Sequence, residues 1–257
     1  MPRLLVLPAL LLALALTACG GESKPQATPA ATVALSDAVI HFEYDDSISE
    51  QDRRIVREAS AEARTFFAHE LGRDLKLDVT VEVSEDDGEG FLGFSFGRRA
   101  WIMTGSAGWP DGSGRFALQA KQSLVAHELF HNFQSDLQYT DDALPSDSPW
   151  WITEGTAEYA AARFTSDAFD VSWDSIVRDY QRSARNANMR LDDPGMRTSR
   201  FYSKAFLAID ELMDDRPLTD LGDYFVKTGY MDWEDAFNET FGETPEAFVE
   251  RFEASRD

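Results

Sequence analysis

The chain has a single cysteine, Cys19, in 257 residues. No intramolecular disulfide can form, and no thiol chemistry is available to the region beyond it. Histidine is scarce too, with four. Basic residues are few: 24 Lys+Arg stand against 46 Asp+Glu, a formal net charge of −22. A surface of that sign repels phosphate backbones and anionic bilayers, which argues against nucleic acid as a partner. It reads as a solvated face that keeps a domain soluble. No internal repeat is present. The apolar run from Leu4 to Leu16 is shorter than the roughly 18 residues a comfortable membrane span needs.

What that run does have is the form of a secretory signal. Met1, Pro2 and Arg3 make a short basic start, the apolar stretch follows, and Leu16-Thr17-Ala18-Cys19 resembles a bacterial lipobox. The one cysteine stands where a lipoprotein needs it. Residues 1–18 are therefore expected to leave as a signal peptide, with acyl chains on Cys19 tethering the remainder to a membrane of the bacterial cell envelope, facing periplasm or exterior. A plain secretory signal with an incidental cysteine is the other reading. Residues 19–36, small, polar and proline-bearing, read as a flexible tether. Removal of Arg3 makes the mature chain one unit more negative. Residues 37–257 are enough for one domain with a sizeable core.

Two of the four histidines fall in HELFH, residues 127–131. On a helix, positions four apart share a face, so His127 and His131 can offer two imidazoles to one ion. Glu128, about 100° further round, lies near that ion without having to bind it. A zinc hydrolase needs this set: two neutral nitrogen ligands and a carboxylate to take a proton from water. Two surface histidines on an amphipathic helix are the alternative. Against it, Val125, Leu129 and Phe133 form one apolar stripe while Leu124 and Phe130 put apolar groups on other faces. A helix apolar on several sides is central, and buried imidazoles need partners.

Around this helix, which starts near Arg115, the patterning predicts a strand at Val39–Glu43 and a helix from a Ser49 cap to Leu71. Asp52 sits at the capping-box position of that helix, and Gly72 is its stop. An alternating strand is expected over Leu75–Val83, an acidic turn at 85–89, a loop or irregular strand over Phe91–Phe96, and a strand at Ala100–Thr104. His41 and His69 read as surface residues without a metal role.

A third ligand is available in PWWITEGTAEYA, residues 149–160. Ser148 suits an N-cap and Pro149 the first helical position. Glu154 and Glu158 then share a face, where like charges repel by a few tenths of a kcal/mol unless a cation compensates. Glu154 as ligand, with Glu158 accepting a ligand histidine's outer N–H, would resolve that repulsion. Two exposed glutamates are the alternative, weakened by Trp150, Trp151, Ile152 and Tyr159 around them.

HELFHNFQ followed by WWITEGTAEY resembles the gluzincin metallopeptidases, in particular the peptidase MA-like branch related to aminopeptidase N and thermolysin. The resemblance implies zinc held by His127, His131 and Glu154, Glu128 as general base, and Glu158 as the acid that supports a ligand. The gap from His131 to Glu154 is longer than usual in the aminopeptidases, and a surface loop at 135–148 is expected to absorb it. Residues 201–209, FYSKAFLAI, are similar to that family's Tyr-x-Lys-Gly segment, with Ala205 in the glycine's place. Tyr202 then matches the tyrosine that stabilises the tetrahedral intermediate, with Tyr159 and Tyr180 as further candidates. A core tyrosine is the other reading of Tyr202. Two closing helices, Trp233–Phe241 and Pro245–Phe252, also fit. The aminopeptidases' Gly-x-Met-x-Asn motif has no clear counterpart, which weakens the case for an aminopeptidase.

The expected fold is a zincin-like α+β domain: a small N-terminal mixed sheet with a helix, then a mostly helical C-terminal part, with the cleft between them. By the same resemblance, Ala100–Thr104 is expected to be the edge strand that pairs with extended substrate. The expected activity is zinc-dependent hydrolysis of peptide bonds in a peptide or protein substrate. The alternatives are a metal-binding or adaptor lipoprotein that keeps the fold without turnover, and a structural lipoprotein with no metal.

Overall fold

The computed structural model describes residues 34–86, 92–106, 108–112, 114–138, 148–185, 189–193 and 198–256. The signal segment, Cys19, most of the tether and most of the acidic turn at 85–89 lie outside the described residues. Strand β1 (Ile40–Tyr44) begins one residue later than its patterning predicts. Helix α1 (Glu50–Leu71) follows the expected bounds. Ser49 Oγ accepts from the Asp52 N–H at 3.0 Å, and Gly72 closes the helix in the left-handed region at φ 67°. The apolar face of α1 is buried, and Phe67 meets Phe130 and Phe133 edge-on at 5.2 and 5.7 Å. Burying a ring of that size contributes roughly 1.5–3 kcal/mol relative to leaving it in water.

Strands β2 (Val79–Ser84), β3 (Gly93–Phe96) and β4 (Arg99–Met103) complete a four-stranded sheet of order β1-β2-β4-β3. The first three run parallel and β3 returns antiparallel to β4. Val79, Val81, Val83, Ala100 and Ile102 face the core in strict alternation. Three expectations change here. The strand expected over Leu75–Val83 starts only at Val79, because the Asp136 carboxylate takes the N–H groups of Lys76 and Leu77 at 3.0 and 3.1 Å. Gly93–Phe96 is a regular strand where a loop or irregular strand was expected. The edge strands are β1 and β3, and the strand at 99–103 is interior. A two-residue turn opening on Gly97, at φ 56°, folds β3 onto the outside of β4.

Helix α2 (Arg115–Leu137) lies against the sheet, and every residue from Val125 to Leu137 is buried. The helix holds Ser135–Leu137, the start of the surface loop expected over 135–148, and residues 139–147 lie outside the described residues. Helix α3 (Trp150–Phe169) packs beside it, with Pro149 rather than Ser148 at the N-cap. Ser148 Oγ instead lies 3.5 Å from the Tyr224 hydroxyl. Helices α4 (Trp173–Ala184) and α5 (Ser199–Met213) pack on α3. A Cβ on Gly155 would sit 2.8 Å from the Ala205 carbonyl oxygen, so α3 and α5 cross with backbones nearly touching. Helices α6 (Thr219–Thr228), α7 (Trp233–Phe241) and α8 (Pro245–Ala254) close the domain. There Trp151 stacks on Phe248 at 5.4 Å. The molecule is thus mixed α+β, a small sheet followed by a mostly helical remainder. Among the described residues no helix is long and apolar enough to cross a membrane.

Candidate metal centre

One turn of α2 separates His127 from His131, and their rings meet edge-on at 4.8 Å. Their Nε2 atoms are 3.1 Å apart. α3 brings in Glu154, whose Oε2 lies 3.3 Å from His127 Nε2 and 3.5 Å from His131 Nε2. All three residues are buried, and the group can hold a metal ion. His41 and His69 lie elsewhere on the surface, against Asp78 and Glu70 respectively.

The electrostatics favour a cation. Burial works against protonating His127, yet Glu154, Glu158 and Glu128 outweigh it and raise its pKa to about 9. Burial likewise opposes protonation of His131, and Glu154 raises its pKa. Burial pushes Glu154 up, but the two imidazoles hold it down at about 2. Without metal, imidazolium and carboxylate therefore compensate each other.

Glu128 points from α2 towards β3. Ser95 Oγ lies 2.8 Å from Glu128 Oε2 and 2.9 Å from its carbonyl oxygen. A Cβ on Gly93 would come within 2.7 Å of Glu128 Oε1. Burial raises the pKa of Glu128, countered in part by the two histidines and Ser95. Neither Gly93 nor Ser95 stood out in the sequence. The signal was there: small residues at 93 and 95 alternate with exposed Phe94 and Phe96.

Around the ligands, Glu158 Oε1 is 3.7 Å from His127 Nδ1, and Glu158 Oε2 accepts from the Tyr180 hydroxyl at 2.6 Å. Gln134 Oε1 lies 2.8 Å from His131 Nδ1. Gln134 escaped the sequence reading, and Tyr180 figured there only as a candidate for the oxyanion role, not as a partner of Glu158. Gln134 was findable, since three residues on from His131 is the same helix face. Tyr202, in the first turn of α5, is half-buried, with its ring 6.4 Å from that of His127. Tyr180 is committed to Glu158, and Tyr159 packs against Trp173 and Phe206 at 5.3 and 6.1 Å.

No family model matches the chain, and no curated protein matches it in sequence. Among solved structures, its fold is similar to that of the aminopeptidase A of Legionella pneumophila, determined in complex with aspartic acid. The TM-score is 0.61 at 15% identity, covering 83% of this chain and 26% of that one. The chain thus matches about a quarter of that enzyme's length. The likeness is one of fold alone.

Proposed function

We propose that this protein is a zinc metallopeptidase of the gluzincin type that hydrolyses peptide bonds. The observation that carries the reading is the triangle of donor atoms on His127, His131 and Glu154. Its edges are 3.1, 3.3 and 3.5 Å. Tetrahedral zinc with bonds of about 2.0–2.1 Å holds its ligand atoms ~3.3 Å apart, and a catalytic site uses three protein ligands. Two imidazoles and a carboxylate are also the donor set that zinc favours.

A bound zinc ion would lower the pKa of a coordinated water to about 7 and polarise a substrate carbonyl. The chain supplies the rest. Glu128 takes the proton as water attacks the scissile carbonyl and passes it to the leaving nitrogen. Ser95 and Gly93 hold its carboxylate for that transfer. Glu158 faces the outer nitrogen of His127, and Tyr180 orients Glu158. Tyr202, beside His127, donates to the developing oxyanion. As the edge strand over Glu128, β3 offers backbone N–H and C=O groups with which an extended peptide can pair. The chain is further proposed to be a lipoprotein anchored through Cys19.

Metal analysis of the purified protein, with a peptide-library digest, tests the reading. About one zinc per chain, chelator-sensitive cleavage, and loss of cleavage with zinc retained in Glu128→Gln are the expected results. Stoichiometric metal without any cleavage would favour a metal-binding lipoprotein, and no metal at all would end both readings. For the anchor, Cys19→Ser should move the protein from the membrane to the soluble fraction. Retention of that variant on membranes through a high-salt wash would refute it.

A further inference from the structure

We propose that Gln134 is a positioning residue that fixes the tautomer of His131, directing its Nε2 lone pair at the metal. The inference rests on the reading of His127, His131 and Glu154 as metal ligands.

His131 Nδ1 lies 2.8 Å from Gln134 Oε1. A ring nitrogen facing an amide has no assigned role until the amide's own orientation is fixed. Here it is fixed from the far side. Gln134 Nε2 is 2.9 Å from the Thr153 carbonyl oxygen and 2.8 Å from Thr156 Oγ1. The carbonyl can only accept. The Thr156 hydroxyl donates to the Ile152 carbonyl at 2.7 Å, which leaves its oxygen as an acceptor for Gln134. Both amide hydrogens thus have acceptors. Turning the amide over would set Oε1 against the Thr153 carbonyl oxygen, with Gln134 and Thr156 both fully buried. Full burial leaves that repulsion unscreened by bulk solvent.

The amide therefore presents its oxygen to His131, and Nδ1 must carry the hydrogen. A neutral imidazole has one N–H, so Nε2 is bare. Nε2 faces His127 Nε2 at 3.1 Å and Glu154 Oε2 at 3.5 Å. The lock also spans the two ligand-bearing helices. Gln134 lies three residues beyond His131 on α2, while Thr153 and Thr156 flank Glu154 on α3. An acceptor on one side and two donors on the other is a combination that glutamine has and methionine lacks.

The test uses histidine-15N-labelled protein, zinc-loaded and metal-free, and the variant Gln134→Met, which keeps the volume and removes every polar atom. Long-range 1H–15N correlations in wild type should show His131 protonated at Nδ1 in both forms, with Nε2 coordinated when zinc is present. Chelator competition should show zinc affinity about 10- to 100-fold weaker in Gln134→Met, the usual range for losing such a partner. Circular dichroism confirms that the variant is folded. A bare Nδ1 on wild-type His131 in either form overturns the lock, without recourse to any variant. Unchanged zinc affinity in folded Gln134→Met overturns it as well. Failure of wild type to bind zinc is a separate result, read from the competition assay alone, and it removes the metal-ligand reading on which the lock's purpose depends.

Discussion

Ser95 Oγ stands 2.8 Å from Oε2 of Glu128, which ties an edge strand of the sheet to the carboxylate beside the histidine pair. Gly93, two residues earlier on the same face of β3, leaves room for Oε1, where a Cβ would intrude to 2.7 Å. The strand proposed to pair with substrate thus also sets the position of the proposed base. The placement of Glu128 depends on both a hydroxyl and the absence of a side chain.

Ser95→Ala should therefore lower kcat by about tenfold with zinc content unchanged, since losing a hydrogen bond to a charged group costs about 1.5 kcal/mol at the low end of its range. Ser95→Thr keeps the hydroxyl and should recover most of the loss. Gly93→Ala should cost more, on the order of 100-fold, because it displaces the carboxylate itself. Steady-state kinetics with parallel zinc analysis measure all three. Full activity in Ser95→Ala would show that the contact does not position the base.

Glu154→Ala should bind zinc far more weakly than wild type. It leaves two imidazoles where a catalytic site needs three protein ligands. Its neighbours also make the loss readable, because Glu158 is 3.7 Å from the outer nitrogen of His127 and cannot replace Glu154 on the inner side without repacking α3. Chelator titration measures the change. Wild-type retention in this variant would mean that the third ligand is another residue.

Proton linkage provides a separate check. With its pKa raised to about 9, metal-free His127 is an imidazolium at neutral pH, and coordination needs the neutral ring. Zinc binding near pH 7 should release a proton from it. Apparent affinity should climb as pH rises towards 9, by roughly tenfold per unit for one proton, and then flatten. Calorimetry in buffers of different ionisation enthalpy counts the proton. Stability of the metal-free protein follows the same groups. The His127 contribution is complete below its ordinary value of 6.5 and lost as pH rises through about 9. That of Glu154 is complete above its ordinary 4.5 and lost as pH falls towards 2. Zinc affinity that does not vary between pH 6 and 9 would contradict the ion pair.

The three grouped residues were legible because each rests on local helical geometry. His127 and His131 are four apart on a helix whose burial the surrounding Leu and Phe residues announce. Glu154 is marked by its repulsion with Glu158 inside an aromatic-rich helix. Ser49 and Gly72 bounded α1 for the same reason, since caps act within one turn. What the sequence hid depends on contacts between distant segments. Asp136 holds Lys76 and Leu77 out of β2 from about 60 residues away. The edge position of β3 follows from pairing order, which alternation within one strand does not encode. Tyr180 reaches Glu158 only because α4 folds back on α3.

Tyr202 is where geometry and kinetics can be set against each other most sharply. Its ring lies 6.4 Å from that of His127, and its side chain is half-buried at the start of α5. If the hydroxyl donates to the oxyanion, that bond forms mainly in the transition state. Losing one such donor typically lowers kcat by about 10²–10³-fold, roughly 3–4 kcal/mol. Tyr202→Phe should then show that fall in kcat with KM, zinc content and thermal midpoint little changed. If the hydroxyl serves only the fold, its loss should instead remove about 1 kcal/mol of stability and leave turnover intact. Phenylalanine fills the same volume, so repacking does not blur the comparison. The partly exposed ring of Tyr202 beside His127 makes it the tyrosine to test first. A Phe variant that melts lower yet turns over at the wild-type rate would take Tyr202 out of the mechanism. Tyr180 would be a poor substitute, its hydroxyl already given to Glu158 at 2.6 Å.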